Sequence, residues 1–367
     1  MHPSIRRIQQ FFLAHLDLPL LGGTALLMLI GMVVLYSASN ESLVRMSAQL
    51  TNLIVALTVM WVFANIPPHY LMRLSVPVYL VGLLLLVGVA LFGEIVNGAR
   101  RWLNLGVTRI QPSEIMKIAV PLMLAWYFDR YEATLRLKNY AIAVVLLMVP
   151  VYLIARQPDL GTAVLIFASG AFLIFLAGLS WRVIAALLVA AAASMPLAWS
   201  VLHDYQRQRI LTLLDPTKDP LGAGYHTIQS TIALGSGGIA GKGWLSGSQT
   251  HLDFIPERTT DFIFAVYSEE FGLIGNGILL ALLLLVIARG AAIAANAPTM
   301  FTRLFAGAIT LTFSTYAFVN MGMVSGILPV VGVPLPLISY GGTSLVTICL
   351  GFGILMSIQT HKKLVQS

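Results

Sequence analysis

Asp261 to Ala288 read DFIFAVYSEEFGLIGNGILLALLLLVIA, an apolar run long enough to cross a bilayer as an α-helix, with Asp261, Glu269 and Glu270 near its start. A span needs roughly 20 apolar residues for a hydrocarbon core about 30 Å thick. Carboxylates at such depth are costly and are functional candidates by default. The run is therefore both a membrane span and a candidate site.

Similar runs recur along the chain, at about 18 to 36, 46 to 66, 75 to 93, 113 to 128, 139 to 155, 161 to 177, 181 to 201, 304 to 326 and 340 to 358. All are too long and continuous for barrel strands. The expected fold is all-α: a polytopic integral membrane protein of about ten transmembrane helices, forming a single domain over 1–367. One long extracytoplasmic loop, 202–260, precedes the eighth span. Composition agrees, since 58% of residues are apolar and 10% charged, with a mean hydropathy of +0.86, which a water-soluble globule of this length could not carry. The fourth run is short, starts with charged residues and contains Pro121.

An even number of spans puts both termini on one side, and the positive-inside rule selects the cytoplasm. That side then holds Arg6, Arg7, Arg73, Arg130, Arg136, Lys138, Arg182, Arg289, Arg303, Lys362 and Lys363, against Arg45, Arg100, Arg101, Arg109 and Arg156 in the short loops opposite. The net charge of +7 is thus partly a topology signal. No basic stripe interleaved with aromatics points to nucleic acid. The single cysteine, Cys349, excludes an internal disulfide and a thiolate metal site. An uncleaved first span is expected after Arg6 and Arg7 rather than a signal peptide.

With that orientation only Asp17, Asp129 and Glu132 among the acids face the cytoplasm, so chemistry is expected at the extracytoplasmic ends of the helices. ATP and nucleotide-sugar chemistry is disfavoured for the same reason. The 202–260 loop carries a basic stretch around Arg207, a turn-rich part, Tyr225 to Leu234, a glycine-dense run from Gly235 to Trp244, and Asp253. The glycine run fails the P-loop pattern, because Gly243 follows Lys242 where Ser or Thr is required. It reads as a flexible or tightly turning loop, with Lys242 as the phosphate-contact alternative.

Asp261 has two readings. One is a first-turn acid complementing the helix dipole behind a Thr260 cap; the other is a carboxylate meeting a substrate. Glu269 lies roughly 12 Å deeper at about 1.5 Å per residue, so Glu269 and Glu270 are expected to pair inside the bundle. Glu114 and Lys117 share a helix face and can neutralise each other or line a site. Arg100, Arg101 and Trp102 suit a lipid-linked phosphate at headgroup level, or a plain interfacial anchor. Asp159, in Gln157-Pro158-Asp159-Leu160-Gly161-Thr162, is a cap or a catalytic acid. The proline-rich segment from Gly326 to Ser344 should line a groove, since irregular backbone at this depth must be buried or face a cavity.

Four strings now combine: Arg100-Arg101-Trp102; Gln111-Pro112-Ser113-Glu114; Thr260-Asp261-Phe262-Ile263-Phe264-Ala265; and spaced Asn320, Gly326, Pro329 and Gly332 followed by Leu337-Ile338-Ser339-Tyr340-Gly341-Gly342-Thr343-Ser344. In this order they resemble the SEDS family (shape, elongation, division and sporulation) along essentially the whole chain. Leu328-Pro329-Val330-Val331-Gly332-Val333-Pro334 points to its elongation branch. The resemblance implies a peptidoglycan glycosyltransferase of the bacterial cytoplasmic membrane, polymerising lipid II on the outer face. It implies Asp261 as the catalytic aspartate, and a class B penicillin-binding protein with other elongation-complex proteins as partners. The substrate-binding set expected beside Asp261 is Arg100, Arg101, Trp102, Glu114, Lys117, Asp159, Arg207, Lys242, Asp253 and Ser339. A divalent cation, Mg2+ or Mn2+, could bridge the pyrophosphate to nearby acids, but no ligand spacing demonstrates one. A lipid II flippase and a non-catalytic scaffold remain the alternatives. Polar residues crowded on one face favour the enzyme.

Overall fold

The computed structural model describes residues 15–96, 99–104, 109–201, 204–218, 224–251, 254–255 and 257–361. Ten long helices occupy the ten apolar runs: α1 (Leu18–Ala38), α2 (Leu43–Ala64), α3 (Pro68–Phe92), α4 (Pro112–Arg130), α5 (Leu137–Ala155), α6 (Leu160–Leu176), α7 (Trp181–Val201), then, after three shorter helices, α11 (Ile263–Ala295), α12 (Met300–Val324) and α13 (Gly342–Thr360). The shorter helices lie between α7 and α11: α8 (Asp204–Leu214), α9 (Tyr225–Ser236) and α10 (Ser248–His251). By length and composition α1, α2, α3, α5, α11, α12 and α13 can each cross a membrane, and α6 is a shorter apolar helix.

The short, polar fourth run becomes α4, whose buried face includes Met116, Lys117, Val120, Leu124 and Phe128. It packs against α3, α5, α6, α12 and α13. Protein rather than lipid surrounds it, which is why it tolerates Glu114, Lys117 and Pro121.

Side-chain caps fix several helix starts. Leu20 N donates to Asp17 Oδ1 at 3.0 Å, Thr162 N to Asp159 Oδ1 at 3.2 Å, and Thr302 N to Thr299 Oγ1 at 3.2 Å, each satisfying an orphan amide. Asp17 also takes a two-pronged bond from Arg289, at 2.9 and 2.5 Å, and His15 stacks on His361 at 4.6 Å. These contacts gather the start of α1, the last turns of α11 and the end of α13 at one end of the bundle. Asp261, ahead of the first turn of α11, lies at the other end.

Between α3 and α4 the chain forms a small antiparallel ribbon, in the order β1 (Glu94–Val96), β2 (Ala99–Asn104), β3 (Arg109–Ile110). β1 and β3 carry too few residues for an alternating pattern to be read, and β2, Ala-Arg-Arg-Trp-Leu-Asn, does not alternate apolar with polar.

The 202–260 loop is more packed than a loop reading suggests. α9 lies against α11 and α12, with Ser230 Oγ donating to Val324 O at 3.1 Å. The glycine run turns tightly and plugs a break in α11 at Gly272, where φ is 63° and ψ is −159°. Leu273 N donates to Gly238 O at 2.9 Å and Ile274 N to Ile239 O at 3.1 Å, while the carbonyls of Glu269 and Glu270 accept from Lys242 N and Gly243 N at 3.0 Å. Backbone freed by the break is thereby satisfied. Only glycine permits this approach: a Cβ on Gly237 or Gly241 would fall 2.1 Å from a carbonyl oxygen of α11.

Candidate active site

Asp261 precedes α11 rather than lying in its first turn behind a Thr260 cap. The N-cap is Phe262, with no side-chain cap bond, and Thr260 Oγ1 turns back to Glu257, donating to its carbonyl at 3.2 Å and its Oε2 at 3.1 Å. The turn closes through Thr260 N and Phe262 N, both donating to Glu257 O, at 3.1 and 3.2 Å. Glu257 holds a φ of 49°, a left-handed conformation that costs a side-chain-bearing residue about 1–2 kcal/mol.

Donors from α12 and from the groove segment hold three successive carbonyls of this turn. Tyr340 N donates to Thr259 O at 2.8 Å, Ser339 Oγ to Thr260 O at 2.6 Å, and Asn320 Nδ2 to Asp261 O at 2.8 Å. Ser339 Oγ in turn accepts from Leu335 N at 2.8 Å, and Asn320 Nδ2 also donates to Val333 O at 2.7 Å. The backbone at Asp261 is therefore fixed by α12 and the groove segment together, while its carboxylate takes no hydrogen bond among the described residues. Burial, then the negative charge of Glu257, push Asp261 up to about 6 from an ordinary 3.8. Gly332, at φ 72°, lies beside this carboxylate, and a Cβ there would sit 3.5 Å from Oδ2. His226 of α9 stacks on Phe262, with ring centroids 5.6 Å apart; burial lowers its pKa, with Glu257 opposing.

The far side of the same segment meets the second acidic position. Gly161 presses on Val331 O, where a Cβ would approach to 2.7 Å. Asp159, beside it, caps α6 and accepts from Gln111 Nε2 at 3.3 Å. Arg101 Nη2 donates to Pro158 O at 2.5 Å, while its buried Nε has no hydrogen-bond partner among the described residues. Arg101 and Trp102 are half-buried on β2, and Arg100 pairs with Ile95 in the ribbon. The Arg100 side chain and Asp253 lie outside the described residues. Glu114 and Lys117 pair at 2.6 Å; Thr347 Oγ1 donates to Glu114 at 3.1 Å and Lys117 lies 5.2 Å from the centre of the Tyr316 ring.

Two other expected residues are held in different contacts. Lys242 pairs with buried Glu269 at 2.7 Å and also reaches Ser248 at 2.7 Å. Glu269 further accepts from Gln249 N at 3.0 Å and Thr250 N at 3.3 Å, so this acid anchors the plug. Arg207 ties α8 to the end of α7 through Trp199 O and Ser200 O, at 3.0 and 2.9 Å. Ser339 is a clamp for the turn. Glu270 takes a short bond from Ser37 Oγ, so both deeper acids pair inside the bundle.

Arg45 was missed as a site residue. It stands in the first turn of α2 and its Nη1 donates to Thr259 Oγ1 at 3.3 Å, which puts a cation beside the Asp261 turn. In sequence it reads only as a loop-end charge. Among the described residues no group of three or more His, Cys, Asp or Glu could hold a metal ion.

Fold and site together define a polytopic helical membrane protein with a raised-pKa carboxylate held at one mouth of its bundle. The family model described as "Cell cycle protein" (FTSW_RODA_SPOVE) matches residues 19–364, and the chain belongs to that family. It is 53% identical over 351 residues to the peptidoglycan glycosyltransferase MrdB of Escherichia coli (strain K12), across 95% of each chain. Among solved structures it resembles a chain of a peptidoglycan synthase complex, with a TM-score of 0.82 and 34% identity over 96% of this chain and 99% of that one. It also resembles the rod shape determining protein RodA of Thermus thermophilus, with a TM-score of 0.72 and 30% identity over 94% and 97%.

Proposed function

We propose that this chain is a peptidoglycan glycosyltransferase that polymerises lipid II into glycan strands during cell elongation, with Asp261 as general base. One observation carries the residue assignment: a carboxylate whose backbone is clamped on three successive carbonyls, whose oxygens are free of protein donors among the described residues, and whose pKa lies near 6. Such a group is ionised at neutral pH yet holds a proton about a hundredfold more strongly than an ordinary aspartate. The acceptor's GlcNAc 4-hydroxyl gives its proton to Asp261 as its oxygen attacks the anomeric carbon of the donor's MurNAc. The bond to undecaprenyl pyrophosphate breaks with its electrons on the leaving phosphate. A positioned base contributes about 10²–10⁴-fold to such a step.

Charge on the leaving group calls for cations. Arg45, beside the Asp261 turn, and Arg101, behind the groove segment at Asp159, are the candidates. Among the described residues no three His, Cys, Asp or Glu side chains are grouped to hold a metal ion. The reading places the site on the extracytoplasmic face with both termini in the cytoplasm, supported by the distribution of Lys and Arg between the loops. A class B penicillin-binding protein is the partner, which the likeness to a chain of a peptidoglycan synthase complex supports.

The test is reconstitution of the purified protein with its transpeptidase in vesicles containing fluorescent lipid II. Glycan polymer should accumulate as lipid II is consumed. Transfer of label between leaflets without polymer would overturn the enzyme in favour of a flippase.

A further inference from the structure

Glu257 combines three features that folding alone does not require. Its backbone is left-handed at φ 49° without being glycine. Its carboxylate is not loose, since Oε2 accepts from Thr260 Oγ1 at 3.1 Å, one residue from Asp261. It is also exposed, whereas Asp261 is largely covered. Strained backbone persists where the surroundings over-determine it and collects at functional sites. The carboxylate of this strained, exposed residue reaches back to Thr260, in the turn that carries the partly buried Asp261.

Other charged or titratable groups around Asp261 are few. Arg45, from α2, is directed to Thr259. Arg258 is drawn away to Ala38 O and Thr250 O, at 2.7 and 2.6 Å. His226, from α9, lies against Phe262 with a buried Nδ1 that has no hydrogen-bond partner among the described residues. The groove segment from Gly326 to Gly341 contains no charged residue. Glu257 is thus the one acid among the described residues whose charge is felt at this carboxylate, and its own carboxylate is held on the neighbouring Thr260.

Resting on the reading of Asp261 as base, we propose that Glu257 is its positioning residue: its negative charge strengthens Asp261 as a proton acceptor, and its exposed carboxylate carries the captured proton out to water. The acceptor O–H bond breaks and the proton bonds to an Asp261 oxygen. It then passes to the Glu257 carboxylate, directly or through one water, and from Glu257 to bulk solvent. Both carboxylates end ionised, ready for the next addition. Repulsion from Glu257 is part of what raises Asp261, as expected for two acids close together.

Two readouts on the full-length protein with its partner test this. An infrared titration follows the protonated carboxyl band that Asp261→Asn abolishes, and needs no turnover. The pH profile of lipid II polymerisation gives the acid limb of kcat/KM. In Glu257→Gln, both the infrared midpoint and the acid limb should move to lower pH by at least about half a unit, a roughly threefold weaker hold on the proton. The plateau rate should fall several-fold, and Glu257→Asp should restore both positions toward wild type. An infrared midpoint unchanged in Glu257→Gln would overturn the proposal, whatever the rate. A midpoint that moves while the acid limb stays would uphold the charge coupling and instead contradict Asp261 as the base.

Discussion

The side-chain amide of Asn320 bridges two backbones, donating to Asp261 O at 2.8 Å and to Val333 O at 2.7 Å. It ties the turn bearing the carboxylate to the groove segment on the opposite side. Asn320→Ala leaves two carbonyls without this donor. A loss of about 1–3 kcal/mol in stability is expected, with at least a tenfold drop in polymerisation because the base is no longer held in register. Thermal melting and turnover on one preparation check both.

Gly332 faces the same carboxylate. Its φ of 72° is strained for alanine, at about 1–2 kcal/mol, and a Cβ would occupy space 3.5 Å from Asp261 Oδ2. Gly332→Ala should therefore lose far more activity than its melting shift accounts for. An alanine variant with full turnover would show that nothing needs to enter beside Gly332.

Ionised Asp261 is a cost to the fold. Its pKa of about 6 lies above the ordinary 3.8, so the folded state binds this proton more tightly than the unfolded chain. Its contribution to stability is greatest below pH about 4, declines between about 4 and 6, and is gone above that. Asp261→Asn should accordingly stabilise the protein by about 1–3 kcal/mol at neutral pH and by little at pH about 4. Paired melting curves at the two pH values decide this.

Lys242 is expected to act through structure. Lys242→Met strips Glu269 of its only ion-pair partner among the described residues and should cost about 1–3 kcal/mol, loosening the plug at Gly272. Proteolysis between residues 237 and 250 should accelerate. Unchanged cleavage with lost polymerisation would mean that Lys242 contacts substrate.

Hydropathy made the ten long helices legible, because an unbroken run of about 20 apolar residues matches the thickness of a bilayer core as a helix and far exceeds a strand. It served least well at α4, whose polar face is covered by neighbouring helices. The β1–β3 ribbon was illegible, because β1 and β3 are too short for periodicity and β2 does not alternate apolar with polar. At the site, Asp261 stood out as a carboxylate opening a span. The role of Ser339 did not, since a hydroxyl that clamps a carbonyl across 79 positions of sequence looks the same as one that binds substrate. Lys242 resembled a phosphate contact because its partner, Glu269, lies 27 positions away on another element. Arg45 was hidden in the same way: long-range pairing decides which charges remain for chemistry, and spacing along the chain does not reveal it.

Whether Asp261 is the base is decided by polymerisation of lipid II by purified wild type and Asp261→Asn, each with its transpeptidase partner, from pH about 5 to 8. Wild type should lose activity as pH falls through about 6, because the base becomes protonated. The Asn variant, folded by its melting curve, should make no polymer at any pH. Polymer from the Asn variant at a rate near wild type would contradict Asp261 as the base.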